Sequence, residues 1–191
     1  MQIQPRPADR SFWGELTPCE HLVQFYDDDS AILDSLAAFA VDGLERGDAV
    51  VIIATKGHRG RLENRLWAQG VDVGAVRSRD QYIDLDAEET LARFMVNGWP
   101  DEERFNAVVA ALLSRASGPG RRRVRAFGEM VVLLWAQGHN GATVRLEHLW
   151  QGLCQSEAFS LFCAYPKVGF TKDMSDGMRD ICAAHSRVIG E

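Results

Sequence analysis

Gly47-Asp48-Ala49-Val50-Val51-Ile52-Ile53-Ala54-Thr55, GDAVVIIAT, decides the fold class of this chain. Ala49 to Ala54 is an unbroken apolar run bounded by Asp48 and by Thr55-Lys56. A short run without alternation is a strand buried on both faces, and such strands belong to parallel sheets covered by helices on either side. The flanks agree. Upstream, Ile32, Leu33, Leu36, Phe39, Ala40 and Leu44 recur at helical spacing. Asp27-Asp28-Asp29-Ser30 offers the helix a cap, and Gly47 stops it. Downstream, Arg59 to Gln69 reads as a helix ended by Gly70.

The same alternation extends outward. His21–Tyr26 is short and rich in β-favouring residues. Gln81–Leu85 predicts a third strand, with Asp86 capping a helix from Ala87. Asp101 caps a helix over Glu102–Ser117, which the Gly118-Pro119-Gly120 breaker closes. Arg123–Phe127 predicts a fourth strand and Phe159–Ala164 a fifth. Helices are expected over Glu129–Gln137, Arg145–Gln155 and Met174–Val188, the first two separated by a Gly-rich turn at Gly138–Gly141. The expectation is an α/β fold: three layers, with a mainly parallel central sheet and helices on both faces. Ligands of such sheets sit beyond the C-terminal strand ends, where strand order reverses. The positions to inspect are therefore Tyr26–Asp28, Thr55–His58, Asp84–Asp86, Gly128–Glu129 and Tyr165–Pro166.

At 191 residues the chain suits one domain, and 46% hydrophobic residues exclude disorder and fibrous repeats. Residues 1–18 read as a loose leader in which Phe12, Trp13 and Leu16 are the sizeable apolar groups; 19–191 form the domain. Twenty-one Lys and Arg against 27 Asp and Glu give a net charge of −6, with a pI near 5.4. That balance argues against direct nucleic-acid binding. Arg121, Arg122, Arg123 and Arg125 are read as a solvated loop face. Four cysteines do not make a disulfide scaffold. No apolar run marks a signal segment or a membrane span, so a cytoplasmic location is expected.

No Gly-x-x-x-x-Gly-Lys-Ser/Thr and no Gly-x-Gly-x-x-Gly is present, so the usual phosphate loops are missing. Thr55-Lys56-Gly57-His58-Arg59-Gly60 joins a strand to a helix, and Lys56, His58 and Arg59 make it a candidate anion site or a plain solvated turn. No Gly-x-Ser-x-Gly elbow occurs, and no catalytic residue is assigned. Cys163 and Cys154 read as small core residues. Cys182 and His185 stand three apart on one helix face, with Cys19 and His21 far off in sequence. Without a Cys-x-x-Cys pair, neither metal nor cofactor is expected. His21 and His185 read as hydrogen-bonded structural groups or as ligand-contacting ones. Glu129 is either a functional strand-end acid or a first-turn acid favoured by the helix dipole. Glu147 is expected on a solvated helix face.

Several segments carry a resemblance: HLVQFYDD (His21–Asp28), GDAVVIIAT (Gly47–Thr55), RAFGEMVVLLWAQG (Arg125–Gly138), LEHLWQGL (Leu146–Leu153), LFCAYP (Leu161–Pro166) and AHSRVI (Ala184–Ile189). In this order, over about 20–189, they resemble the MEDS domain, the methanogen/methylotroph DcmR sensory domain. The resemblance implies a RecA/KaiC-like core without a Walker A loop, acting as a sensor rather than an ATPase. It implies hydrocarbon derivatives as ligands. It marks His21, Phe25, Tyr26, Glu129, Trp135, Glu147, Trp150, Tyr165 and His185. Gln151 stands where the family often has Asn. From these, His21, Phe25, Tyr26, Glu129, Trp135 and Tyr165 are the expected ligand-binding residues. Tyr26 and Glu129 are expected to share one end of the sheet; His21 joins them only if 21–26 bends.

The expected function is a non-catalytic sensory or regulatory domain. It binds a small ligand or a signalling partner (a kinase or a transcription regulator) and signals through protein contact, with homo-oligomers compatible. The alternatives are a nucleotide hydrolase or phosphotransferase with a non-standard phosphate loop at Lys56–Gly60, and a ligand-free interaction domain.

Overall fold

The computed structural model describes residues 12, 13, 16–169, 179 and 181–189. The elements run β1 (His21–Tyr26), α1 (Asp29–Glu45), β2 (Ala49–Ala54), α2 (Lys56–Ala68), α3 (Val73–Ser78), β3 (Tyr82–Asp86) and α4 (Ala87–Ala92). They continue with β4 (Met95–Val96), β5 (Trp99–Pro100), α5 (Glu102–Ser117), β6 (Val124–Gly128), α6 (Met130–Ala136), α7 (Asn140–Glu157), β7 (Ser160–Pro166) and β8 (Arg187–Ile189). The anticipated caps form. Asp28 Oδ1 accepts from the amides of Ser30 (2.7 Å) and Ala31 (3.0 Å). Asp86 and Asp101 do the same for α4 and α5.

Six strands form one sheet in the order β3-β2-β6-β7-β1-β8, and every pairing is parallel. Along β2, Val50, Ile52 and Ala54 enter one apolar cluster and Ala49, Val51 and Ile53 the other. That split is why the run could not alternate with polar residues. One cluster is closed by α1, α2 and α3, the other by α4, α5, α6 and α7. The result is the anticipated three layers. The crossovers from β1 to β2 and from β2 to β3 run one way over the first face. Those from β3 to β6 and from β6 to β7 run the other way over the second, as a single handedness requires. Direction reverses between β2 and β6.

Several boundaries differ from expectation. Thr55, accepting at 3.5 Å from the His58 amide, starts α2 three residues early. α7 begins at Asn140, five residues before the expected start, and the Trp99 ring packs against Gly141 in its first turn. Asn97 and Gly98, both at positive φ, turn the β4–β5 hairpin. Of the expected last helix, residues 174–178 and 180 lie outside the described residues, while 179 and 181–183 are helical. Its end is a correction: Arg187–Ile189 is not helical but the edge strand β8, paired along Leu22–Gln24 of β1. Val188 and Ile189 favour that state once β1 offers a free edge.

Two further readings are corrected. Arg125 is no solvated arginine: it is buried, its Nε 2.7 Å from Asp48 and its Nη1 2.9 Å from Asp42. Glu147 is wholly buried on the inner face of α7. Phe12, Trp13 and Leu16 belong to the core; Trp13 packs on Phe39 and Phe162, and its carbonyl accepts from Arg125.

Candidate functional site

The reversal between β2 and β6 places Thr55 and Glu129 side by side at the C-terminal edge of the sheet. The Glu129 amide donates to Ile53 O at 2.9 Å, which fixes its backbone beside β2. Its side chain does not cap α6. It turns instead to the first turn of α2. There Oε2 accepts from the Thr55 amide at 2.6 Å, and Oε1 pairs with His58 Nδ1. On its far side His58 Nε2 lies 3.4 Å from Asp29 Oδ2, and Asp29 pairs with Arg61 at 2.9 Å. The hydrogen bond to Glu129, against the cost of burial, raises the His58 pKa, and Asp29 adds to the effect. For Asp29, burial works upward but Arg61 and His58 together hold its carboxyl below the usual range. Tyr26 is close enough that Glu129 and Asp29 add to the burial that pushes its phenol up, so its hydroxyl is neutral.

Of the candidate anion-site residues, His58 is thus taken by two carboxylates of the chain. Arg59 reaches Asp86 at 2.9 Å and Asp84 at 3.5 Å. Lys56 is exposed. The Trp150 ring packs over Gly128, where a Cβ would meet it at 3.8 Å, an ordinary contact.

The six expected ligand-binding residues do not gather in one place. Tyr26 and Glu129 lie together on the α1–α2 side. Phe25 alternates to the other face, where it stacks on Tyr165 at 6.1 Å, and Trp135 meets Tyr165 edge-on at 6.3 Å. His21 shares that second face. β1 is a straight strand, so His21 stands roughly 16 Å back from Tyr26 at about 3.3 Å per residue. The bend that would bring it to Glu129 does not occur.

His21 meets other groups instead. Its Nε2 is 3.5 Å from Glu147 Oε2 and 3.4 Å from Cys163 Sγ. His185 Nε2 reaches the same Glu147 oxygen at 3.5 Å, and the two imidazoles lie 3.9 Å apart. Tyr165 donates to Glu147 Oε1 at 2.5 Å. Burial, opposed by Glu147, pushes His21 down to about 4. Burial, opposed by the Ile181 carbonyl, does the same to His185. Burial raises Glu147, with His21 and Tyr165 working against it. Of the sequence pair Cys182 and His185, only His185 enters the group, and its companions are His21, Glu147 and Cys163 rather than Cys19. Cys163 in an apolar strand gave no sign of this; the signal was that Glu147, Tyr165, His21 and His185 were all marked by the family pattern.

Among the described residues no helix is long and apolar enough to cross a membrane. The family described as MEDS, MEthanogen/methylotroph, DcmR Sensory domain, matches residues 20–186. No curated protein matches the chain.

Proposed function

The chain belongs to the MEDS family of sensory domains, and from that premise we propose that it is a non-catalytic regulatory domain that reads a small, weakly polar ligand at the C-terminal sheet edge. The change passes to a signalling partner through protein contact. One observation carries this reading: the Glu129 carboxylate accepts from the Thr55 amide and pairs with His58 in the first turn of α2. In phosphate-binding proteins the amides and cations at such a turn face an anion of the ligand. Here the chain's own carboxylate supplies the negative charge. A polyphosphate would have to displace a buried, paired acid, and Arg59 is already held by Asp84 and Asp86. A weakly polar molecule asks for less: an apolar wall and a few oriented polar groups. The neutral Tyr26 hydroxyl and the His58–Glu129 pair are suited to that task.

Thermal melting tests it. ATP–Mg²⁺ is expected to leave the midpoint unchanged, whereas a panel of small alcohols, ketones and hydrocarbons is expected to contain compounds that raise it. A ligand at 100 times its Kd adds about 2.7 kcal/mol. Glu129→Gln and Tyr26→Phe should reduce that shift while leaving the unliganded protein folded. Steady-state ATP hydrolysis that collapses in Lys56→Ala would overturn the proposal in favour of a hydrolase.

A further inference from the structure

His21 on β1, Glu147 on α7, Cys163 on β7 and His185 just before β8 converge inside the second face of the sheet, away from the Glu129 site. We infer that these four side chains form a binding site for one divalent transition-metal ion of the zinc class. The inference does not rest on the ligand reading above.

Geometry comes first. The four candidate donor atoms all lie within 4.8 Å of one another. The separations from Glu147 Oε2 are 3.5 Å to His21 Nε2, 3.5 Å to His185 Nε2 and 3.9 Å to Cys163 Sγ, and His21 Nε2 is 3.4 Å from Cys163 Sγ. A tetrahedral zinc ion with bonds of about 2.0–2.3 Å needs donors roughly 3.3–3.8 Å apart. Three of these four separations fall in that range and the fourth, at 3.9 Å, lies just above it, so small side-chain shifts would close the group around one ion.

The hydrogen bonds behind the ligands set their tautomers. His185 Nδ1 faces the Ile181 carbonyl at 2.6 Å, and His21 Nδ1 faces the Ala184 carbonyl at 3.1 Å. A carbonyl only accepts, so both rings carry their proton on Nδ1. Both Nε2 atoms therefore present a lone pair, and each lies 3.5 Å from Glu147 Oε2. Gln151, at 3.0 Å from His21 Nδ1, braces the same ring. Imidazoles held through the far nitrogen by a carbonyl are characteristic of metal ligands. A single proton on Oε2 can serve only one of the two lone pairs. His185 Nε2 is buried with no hydrogen-bond partner, although its side chain has no exposed surface. A cation satisfies both nitrogens together.

Charge and softness select the ion. Two neutral imidazoles, one thiolate and one carboxylate carry −2, so a divalent ion leaves the buried site neutral. On binding, the protons of the Cys163 thiol and the Glu147 carboxyl pass to solvent and the Sγ and Oε2 lone pairs bond to the ion. Two nitrogens, one sulfur and one oxygen suit zinc or cobalt and not the hard magnesium or calcium ions. The ion would join β1, α7 and β7 to the segment entering β8, where Ser186 already bonds the backbone of His21 at both its amide and its carbonyl.

The test uses the whole chain, reduced, stripped with a chelator and titrated with Co²⁺ alone. One equivalent should bind, with visible bands of tetrahedral intensity and a near-ultraviolet thiolate charge-transfer band. One equivalent of Zn²⁺ should erase both, and should raise the melting midpoint of the stripped protein. Cys163→Ser should lose the charge-transfer band, and His185→Gln should weaken Co²⁺ binding by more than the roughly 10–100-fold that loss of an outer-shell partner costs. His148→Gln, at the exposed neighbour of Glu147, should change neither. If the wild-type chain takes up no Co²⁺, or takes it up without the thiolate band, the site is not there, whatever the variants do. Binding equally strong in Cys163→Ser and His185→Gln overturns it too.

Discussion

Arg125 sits 1% exposed between Asp42 and Asp48, both nearly buried, and also donates to Trp13 O at 3.1 Å. Removing one partner of a buried ion pair strands the others without solvent, which costs about 3–5 kcal/mol. Arg125→Ala is therefore expected to lower the unfolding free energy from urea titration by that order. Arg123→Ala should cost no more than about 1 kcal/mol, because Arg123 is half exposed and 3.7 Å from Asp48. A second prediction concerns His58. Its folded pKa is raised, chiefly by the bond to Glu129, above the ordinary 6.5. Folding thus favours the imidazolium. The stabilisation is complete below pH 6.5, where the unfolded chain is protonated too, and is lost as pH rises through the folded value. The urea midpoint of the wild type should fall above pH 6.5 more steeply than that of His58→Gln. Parallel curves would mean that the pair contributes nothing.

Helix α1 rests on the sheet through Gly43. A Cβ there would lie 3.0 Å from both Arg125 Cδ and Val50 Cγ2. Helix propensity favours Gly→Ala by about 1 kcal/mol, but overpacking a filled interface costs about 1–3 kcal/mol. Because the neighbour is an ion-paired arginine that cannot swing away, Gly43→Ala should be net destabilising. Gly60 in α2 faces open space, so Gly60→Ala should raise the unfolding free energy by up to about 1 kcal/mol. The two variants together separate packing from propensity, and denaturant unfolding reads both. The elements also differ in how plainly their sequence announces them. The β4–β5 hairpin carries an Asn-Gly signal that could have been read. β8 carries none, since a three-residue strand exists only because β1 has an edge to pair with.

For the molecule as a whole, we propose that the domain takes in residues before 19, since Phe12, Trp13 and Leu16 pack into its core. Trp13 is fully buried against Phe39 and Phe162, and its carbonyl accepts from Arg125 Nη1 at 3.1 Å. Trp13→Ala should cost about 3–5 kcal/mol, the loss typical of a large core aromatic. If calorimetry found the midpoint unchanged, Trp13 would be dispensable to the core and the proposal would fall. The sheet also keeps two polar centres apart. Tyr26, Glu129 and His58 gather on one side at the strand ends, while His21, Glu147, Cys163 and His185 lie inside the other layer.

The apolar run Ala49–Ala54, the helical spacing from Ile32 to Leu44 and the caps at Asp28, Asp86 and Asp101 determined the layers, the parallel sheet and most helix starts. They do so because period and capping act within a few residues. The position of Glu129 beside Thr55 was legible only as a strand-end acid; its partner His58 lies 71 residues away. The tertiary structure alone decided that Glu147 and Arg125 are buried and that β8 is a strand. It alone brought His21 to residues 130 and more positions distant. Strand order and register set those meetings. Both are fixed by pairings between remote segments, and a parity of two sends Phe25 and Tyr26, neighbours in the chain, to opposite faces of the sheet.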